Sequence, residues 1–124
     1  MSVIANSLEP IANTTPTAAT GKSATPLQRA FIRALILGTE CDGYMSLCKV
    51  IANAEAPKYK SIAAALMIIS GEEDQVAPRS GCDLTLEQYG SENGAKKIEV
   101  LGGVGHWHCV EAPDRVAELI AGFA

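Results

Sequence analysis

Apolar residues change their spacing half-way along the chain. In the first half they recur at intervals of three and four in two segments, Pro26 to Gly38 and residues 42–54, as on one face of a helix. In the second half, residues 62–69 form a continuous apolar run that ends at Ser70-Gly71. A short run without a polar face is typical of a strand covered on both sides. The pattern therefore predicts two amphipathic helices followed by a buried strand.

Local signals extend this prediction in both directions. Thr25-Pro26-Leu27-Gln28 has the pattern of a capping box with proline in the first turn, which indicates that a helix begins there. After the buried strand, the sequence predicts a helix from Ser80 to Gly90, an alternating strand over 97–101 and a helix from Pro113. We therefore expect three parts: an irregular, loop-rich segment over 1–25, a helical segment over 26–58, and a βαβα unit over 59–124. Within the first part, the short run from Val3-Ile4 to Ile11-Ala12 could form a helical turn or two, followed by a loop.

The predicted sheet is too small to stand alone. A βαβ unit supplies two parallel strands, whereas parallel sheets occur almost entirely as larger sheets with both faces covered. The strand ending at Ile69 would keep at least one open apolar edge, which favours aggregation or pairing with another strand. We therefore expect further strands to come from another chain, or from a longer protein of which these residues are the C-terminal part.

Composition narrows the classes of protein that remain. The 124 residues are 48% apolar and 19% charged, which excludes a disordered chain. The net charge of −4 argues against nucleic acid or an anionic membrane surface as a partner. No apolar run is long enough to cross a bilayer and the first residues do not resemble a secretory signal, so the expected location is cytoplasmic. The cysteines form no C-x-x-C pair and are predicted to be buried free thiols: Cys41, Cys48, Cys82 and Cys109.

Two loops carry the residues that could take part in a reaction, and each loop directly follows a predicted strand. Asp74 lies in the first loop and His106 in the second, 32 residues later. Loops at the carboxyl ends of parallel strands meet at the same edge of a sheet, where reacting groups are commonly found. A carboxylate there could accept a hydrogen bond from the imidazole Nδ1 and so fix the tautomer of a histidine base. An alternative is that Asp74 is a solvated turn carboxylate in an acidic cluster and His106 an ordinary loop histidine.

These motifs resemble the last two strands of the α/β-hydrolase fold, in particular its esterase and enol-lactone hydrolase-like branch. The resemblance is carried by three short segments, residues 71–78, Gly105-His106-Trp107 and Glu111-Ala112-Pro113. It implies a partial α/β-hydrolase fold, in which residues 26–58 are the remnant of a helical cap. It also implies that Asp74 is the acid and His106 the base of a catalytic triad acting on carboxylic esters or lactones, without metal or organic cofactor.

One part of the triad has no counterpart in the sequence. The nucleophile of this family lies in G-x-S-x-G on an earlier strand, and no serine or cysteine here has glycine on both sides at that spacing. The loop that forms the oxyanion hole is missing as well. We therefore expect the chain alone to be inactive. The alternative is a non-catalytic remnant, or a domain that binds a partner through its open sheet edge.

Weaker expectations concern the surroundings of the site. The resemblance also implies that Trp107, with Phe31, Tyr44 and Met45 of the cap-like helices, lines the pocket of a small ester or lactone. His106, His108 and Asp74 could instead hold a metal, although no further ligand has convincing spacing. Residues 16–23 are a near-miss to the phosphate-binding loop, without its first glycine and without a preceding strand.

Overall fold

The computed structural model describes residues 7–91 and 95–123. The elements of the described residues are, in chain order, the helices α1 (Glu9–Ala18), α2 (Pro26–Leu37) and α3 (Cys41–Ala52), a 3-10 turn (Tyr59–Ser61), strand β1 (Leu66–Gly71), helix α4 (Arg79–Gln88), strand β2 (Lys96–Leu101), and the helices α5 (His108–Glu111) and α6 (Pro113–Phe123). Three helices therefore precede a βαβα unit, as the pattern of the second half predicted. The short helix α5 was not predicted.

The two strands are parallel, which confirms the predicted βαβ unit. Their register runs from Leu66 opposite Lys96 to Gly71 opposite Leu101, so both strands end at the same level. The first strand begins four residues later than the apolar pattern predicted, because pairing with β2 begins only at Leu66, whose N–H donates to Ala95 O. The loops that follow Gly71 and Leu101 therefore emerge side by side.

Two small hydrophobic clusters hold the described residues together. One lies on the βαβα unit, where α6 covers one face of the sheet. It is formed by the buried residues Leu101, Val104, Val116 and Leu119, with Met67 and Ile69 of β1 against them. The other lies among the helices of the first half and is formed by Leu8, Ala12, Ile32 and Ile36.

The prediction that residues 1–25 are irregular is wrong for α1. Residues Glu9–Ala18 form a ten-residue helix. Its local signal is weak, since it contains four threonine and asparagine residues and an internal proline, Pro16. The helix is stabilised by packing, because Leu8 and Ala12 contact the buried side of α2. The run expected to form a helical turn or two ends inside α1, at Ile11-Ala12, and its beginning at Val3-Ile4 lies outside the described residues.

The capping box predicted for α2 is present and has a second role. The Thr25 side chain accepts from the Gln28 N–H and the Gln28 side chain accepts from the Thr25 N–H. The Gln28 amide group also donates to the carbonyl oxygens of Val110 and Glu111 at 2.8 and 3.1 Å. Because these carbonyls lie at the end of α5, one side chain both begins α2 and ties it to the segment after His106.

The cysteines are more exposed than predicted. Cys48 and Cys109 are exposed, and Cys41 and Cys82 are half-buried. For Cys48 the reason is the position of α3, which has no buried residue and contacts the helical cluster mainly through Cys41 and Tyr44. Met45, Leu47, Val50 and Ile51 of the same helix are exposed. Within the described ranges, no helix combines the length and the apolar character that a membrane span requires.

Candidate active site

Asp74 and His106 form a hydrogen-bonded pair at the carboxyl ends of the strands. His106 Nδ1 lies 3.0 Å from Asp74 Oδ2, as the positions of the two loops predicted. The carboxylate is buried, with 4% of its side chain exposed, whereas 40% of the imidazole is exposed. Because an ionised carboxylate can only accept, Nδ1 carries the proton and Nε2 is the ring nitrogen available to accept another.

The other oxygen of Asp74 is fixed by its own loop. Asp74 Oδ1 accepts hydrogen bonds from the backbone N–H groups of Val76 and Ala77, both at 2.8 Å. Burial acts to raise the pKa of this carboxyl group, but the N–H of Ala77, the His106 ring and the N–H of Val76 act in the opposite direction. Together they outweigh burial, and the pKa of Asp74 lies below its ordinary value. Asp74 is therefore an oriented anion rather than a solvated turn carboxylate.

This lowered pKa predicts how the stability of the chain depends on pH. A carboxyl group whose pKa is lower in the folded state stabilises that state above about pH 4, and this stabilisation is lost as pH falls through the folded-state value. We expect the wild type to be more stable than Asp74→Asn by about 1–3 kcal/mol at neutral pH, with the difference shrinking below about pH 4. Urea unfolding of both proteins across this range measures it. A difference that stays constant with pH would contradict it.

The loop of His106 is held by Glu111, a residue for which the sequence motifs predicted no separate role. Glu111 Oε2 accepts from the N–H groups of Gly21 and Gly105 at 2.8 and 3.0 Å, and Oε1 accepts from the N–H of Trp107 at 3.1 Å. The N–H of His106 itself donates to Ala19 O. The carboxylate thus joins both neighbours of His106 to the segment that follows α1. No local spacing could reveal this, because Gly21 lies 90 residues away.

Two further carboxylates bind the same loops. Glu72 Oε2 accepts from the N–H of Gly103, and Glu73 Oε2 accepts from the N–H of Lys22. Glu73 Oε1 also pairs with Lys22 Nζ at 2.8 Å. The acidic cluster is therefore part of the scaffold of the site. The segment that resembles a phosphate-binding loop is also bound by carboxylates. The N–H of Gly21 donates to Glu111, and the N–H of Lys22 donates to Glu73.

Close contact between backbones explains the glycine at position 105. A Cβ atom there would lie 2.6 Å from Gly21 N and 2.7 Å from Ala19 O. We expect Gly105→Ala to lower the free energy of unfolding by about 1–3 kcal/mol, because backbone on both sides cannot yield cheaply. Gly81→Ala is the matched control. Gly81 lies in α4, and apart from its chain neighbours and the backbone of its own helix no atom lies within 4 Å of the added methyl group, so this change should stabilise by up to about 1 kcal/mol. Urea unfolding measures both, and equal effects would contradict the prediction.

One cavity adjoins His106, and a second lies among the helices of the first half. The smaller, of about 200 Å³, is lined by residues 106–110, including His106, Trp107 and His108. The larger, of about 310 Å³, lies among α1, α2 and α3 and is lined by both Trp107 and Tyr44. Phe31 and Met45, which were also predicted to line the pocket, line neither cavity and are 53% and 50% exposed. Trp107 Nε1 and His108 Nδ1 are buried without a hydrogen-bond partner among the described residues, so packing holds these rings in place.

The described residues contain no group of three histidine, cysteine, aspartate or glutamate side chains arranged to hold a metal ion. Asp74 is bonded to His106 and to its own loop. The geometry of the site is that of a carboxylate orienting an imidazole.

Three solved structures with a similar fold are hydrolases. Over 94% of this chain, the fold matches the enol-lactonase from Burkholderia xenovorans LB400 with a TM-score of 0.81 and 20% identity. Over 91%, it matches a thermophilic esterase from Thermogutta terrifontis with a TM-score of 0.80 and 18% identity. Est816, an N-acyl homoserine lactone degrading enzyme, matches over 94% with a TM-score of 0.72 and 21% identity. The chain has part of the α/β-hydrolase fold.

The match covers only part of each known structure. The chain spans 44%, 42% and 47% of these three proteins, less than half of each. No protein-family model and no curated protein sequence matches the chain. The resemblance found in the sequence motifs is thus confirmed at the level of the fold, including the expectation that this fold is partial.

Proposed function

We propose that these residues supply the acid and the base of a hydrolase that cleaves carboxylic esters or lactones. The observation that carries the proposal is the 3.0 Å contact between His106 Nδ1 and Asp74 Oδ2. Asp74 orients the ring and stabilises the imidazolium that forms when His106 takes up a proton, and is therefore a positioning residue. His106 is the catalytic residue, because its Nε2 would exchange protons with the reacting atoms.

The proposed cycle has two steps that balance in protons. In the first, Nε2 accepts the proton of a nucleophilic hydroxyl group as its oxygen attacks the carbonyl carbon, and then donates that proton to the departing alcohol oxygen. In the second, Nε2 takes a proton from water, which attacks the acyl group, and returns it to the nucleophile. The cycle needs no metal or organic cofactor.

The nucleophile is proposed to come from residues outside this chain. No serine or cysteine among the described residues is hydrogen-bonded to His106, and G-x-S-x-G is absent from the 124 residues. In the α/β-hydrolase fold that motif precedes the acid and the base. The complete hydrolase is the polypeptide or complex that carries both the motif and these residues.

The two strands differ in a way that indicates where further strands would add. β1 has the sequence LMIISG, apolar on both faces, whereas β2 carries lysine and glutamate and an ion pair between Lys97 and Glu99. Charged side chains are typical of edge strands, and strands without them are typical of the interior of a sheet. We therefore propose that the missing strands continue the sheet from the free side of β1 and leave β2 at the edge.

Activity and labelling of the 124-residue chain test the proposal. With p-nitrophenyl acetate we expect hydrolysis no faster than the background rate, and with a fluorophosphonate probe we expect no label. The complete hydrolase, recovered from its source with an antibody against the α6 sequence, should hydrolyse the ester and take up the label outside these residues. Recovered material without label or activity would overturn the proposal. If the chain alone is active and this activity is lost in His106→Ala, the proposal that the nucleophile lies outside this chain is wrong.

A second candidate function is partner binding without catalysis. The side of β1 away from β2 favours it, because no other strand of the described residues pairs there and an apolar strand edge is suited to accept a strand from another chain. Light scattering coupled to size exclusion separates the outcomes for the isolated chain. A self-associated or partner-bound state is expected if the edge is a binding surface, and a stable monomer would count against it.

A further inference from the structure

The segment that connects α1 with α2, residues 19–24, contacts both loops of the candidate site. Three successive N–H groups of this connecting segment donate to acceptors that belong to the two loops or hold them: Gly21 to Glu111 Oε2, Lys22 to Glu73 Oε2 and Ser23 to Gly103 O. In the reverse direction, Ala19 O accepts from the N–H of His106. The connecting segment is therefore a common support for the loop of Asp74 and the loop of His106.

Glu73 attaches the loop of Asp74 to this support. Among the described residues, the hydrogen bonds between residues 71–78 and the connecting segment all involve Glu73. Its Oε2 accepts from the N–H of Lys22 at 2.8 Å, and its Oε1 lies 2.8 Å from Lys22 Nζ. The N–H of Glu73 itself donates to Val104 O at 2.9 Å. The residue before Asp74 is thus held from two sides, by the connecting segment and by the loop of His106.

These contacts form a closed ring that includes the Asp74–His106 pair. The backbone of His106 is bound to Ala19, and the chain continues from there to Lys22. Lys22 is bound to Glu73, and the next residue, Asp74, contacts the His106 imidazole at 3.0 Å. Because the ring is closed, the position of each member restricts the others. A change in the contact between Lys22 and Glu73 is therefore expected to move the carboxylate of Asp74 relative to the imidazole.

The contact with the N–H of Lys22, rather than the ion pair, carries this restriction. The Lys22 side chain is 77% exposed, and exposed ion pairs contribute little because water and salt screen them. The backbone N–H is fixed more firmly, because the N–H groups of Gly21 and Ser23 on either side are bound as well. The side-chain and backbone hydrogen bonds from Lys22 hold the pKa of Glu73 below its ordinary value, so the acceptor is an anion at neutral pH.

We propose that Glu73 is a positioning residue for the Asp74–His106 pair and acts through the backbone N–H of Lys22. It sets the distance between the carboxylate and the imidazole and needs no contact with the substrate. The effect on turnover rests on the function proposed above, whereas the effect on the geometry of the pair does not. The two effects are therefore measured separately.

Two variants of the 124-residue chain separate the reach of the Glu73 side chain from its charge. Glu73→Gln keeps an oxygen at the same distance from the N–H of Lys22 without the charge, whereas Glu73→Asp keeps the charge on a side chain that is one methylene group shorter. The readout is the NMR signal of the His106 Nδ1 proton, which is strongly deshielded when a carboxylate accepts it. We expect Glu73→Asp to shift or broaden this signal and Glu73→Gln to leave it close to that of the wild type. A signal retained in Glu73→Asp and lost in Glu73→Gln, or one unchanged in both, would overturn the proposal.

Glu99 provides the matched control. Its side chain is 32% exposed, against 28% for Glu73, and it pairs with Lys97 at 3.4 Å within β2. Glu99→Asp and Glu99→Gln should leave the Nδ1 signal unchanged. A shift as large as that of Glu73→Asp would be a general effect of changing a paired carboxylate and would count against the proposal.

Kinetics of the complete hydrolase test the effect on turnover. We expect Glu73→Asp to lower kcat at least about tenfold and to leave KM within about threefold of the wild type, because a misplaced base slows the proton transfers without removing a substrate contact. An unchanged kcat in an active hydrolase would overturn the role of Glu73. If the chain shows the NMR response but the complete wild type does not hydrolyse esters, the proposed function is wrong and the positioning of the pair by Glu73 stands.

Discussion

Replacing Asp74 by asparagine is expected to lower kcat of the complete hydrolase by about ten-thousand-fold. The asparagine oxygen can still accept from the N–H groups of Val76 and Ala77, so the loop should keep its shape. The amide can no longer stabilise an imidazolium, and its NH₂ group favours the tautomer of His106 with the proton on Nε2. That tautomer cannot accept the proton of the nucleophile. Steady-state kinetics with an activated ester measure the loss.

The control for this prediction is Asp83→Asn. Asp83 lies on α4, is exposed and pairs with Arg79 of the same helix at 2.7 Å. Removing that exposed charge should leave kcat within about twofold of the wild type. If Asp74→Asn retains more than about a tenth of wild-type kcat, the pair has a structural role and the proposed triad is wrong. An increase in KM with kcat unchanged would also contradict the proposed triad, because Asp74 does not contact the substrate in the proposal.

The sequence predicted the Asp74–His106 contact because it depends on topology. Each residue lies in the loop directly after a strand, and parallel pairing with Gly71 opposite Leu101 brings the two loops together. That argument needs only the order of the elements and their approximate ends. It remained valid although β1 begins four residues later than the apolar run, since a shift at the start of a strand does not move the loop at its end.

Features that depend on packing between distant segments were not predictable. α1 has weak helical signals and becomes a helix because Leu8 and Ala12 contact Ile32 and Ile36 of α2. The cysteines were predicted to be buried on the assumption that other elements cover their helices. Cys48, however, is exposed on α3, a helix without a buried residue. Glu111 belonged to the segments that carried the resemblance, but its role depends on N–H groups at positions 21, 105 and 107. Periodicity along one segment contains no information about such contacts.

Replacing Glu111 by alanine is expected to lower the free energy of unfolding by about 3–5 kcal/mol, a large part of the total for a chain of this size. The change leaves three N–H groups without their acceptor, and two of them belong to the buried residues Gly21 and Gly105. Each such donor costs about 1–3 kcal/mol, and the three are not additive. Urea unfolding measures the loss. Glu118→Ala is the control, since Glu118 is exposed and pairs with Arg115, and it should cost less than about 1 kcal/mol.

Glu111→Gln separates stability from the positioning of His106. The amide keeps one oxygen for two of the three N–H groups, so this variant should fold even if Glu111→Ala does not. Its NH₂ group faces the remaining N–H, which should displace the loop between Gly105 and Trp107 and lengthen the contact between His106 and Asp74. The readout is the strongly deshielded Nδ1 proton of His106 in the NMR spectrum, which should shift or broaden in Glu111→Gln and stay unchanged in Glu118→Ala. An unchanged proton in a destabilised Glu111→Gln would mean that Glu111 stabilises the fold without positioning the imidazole.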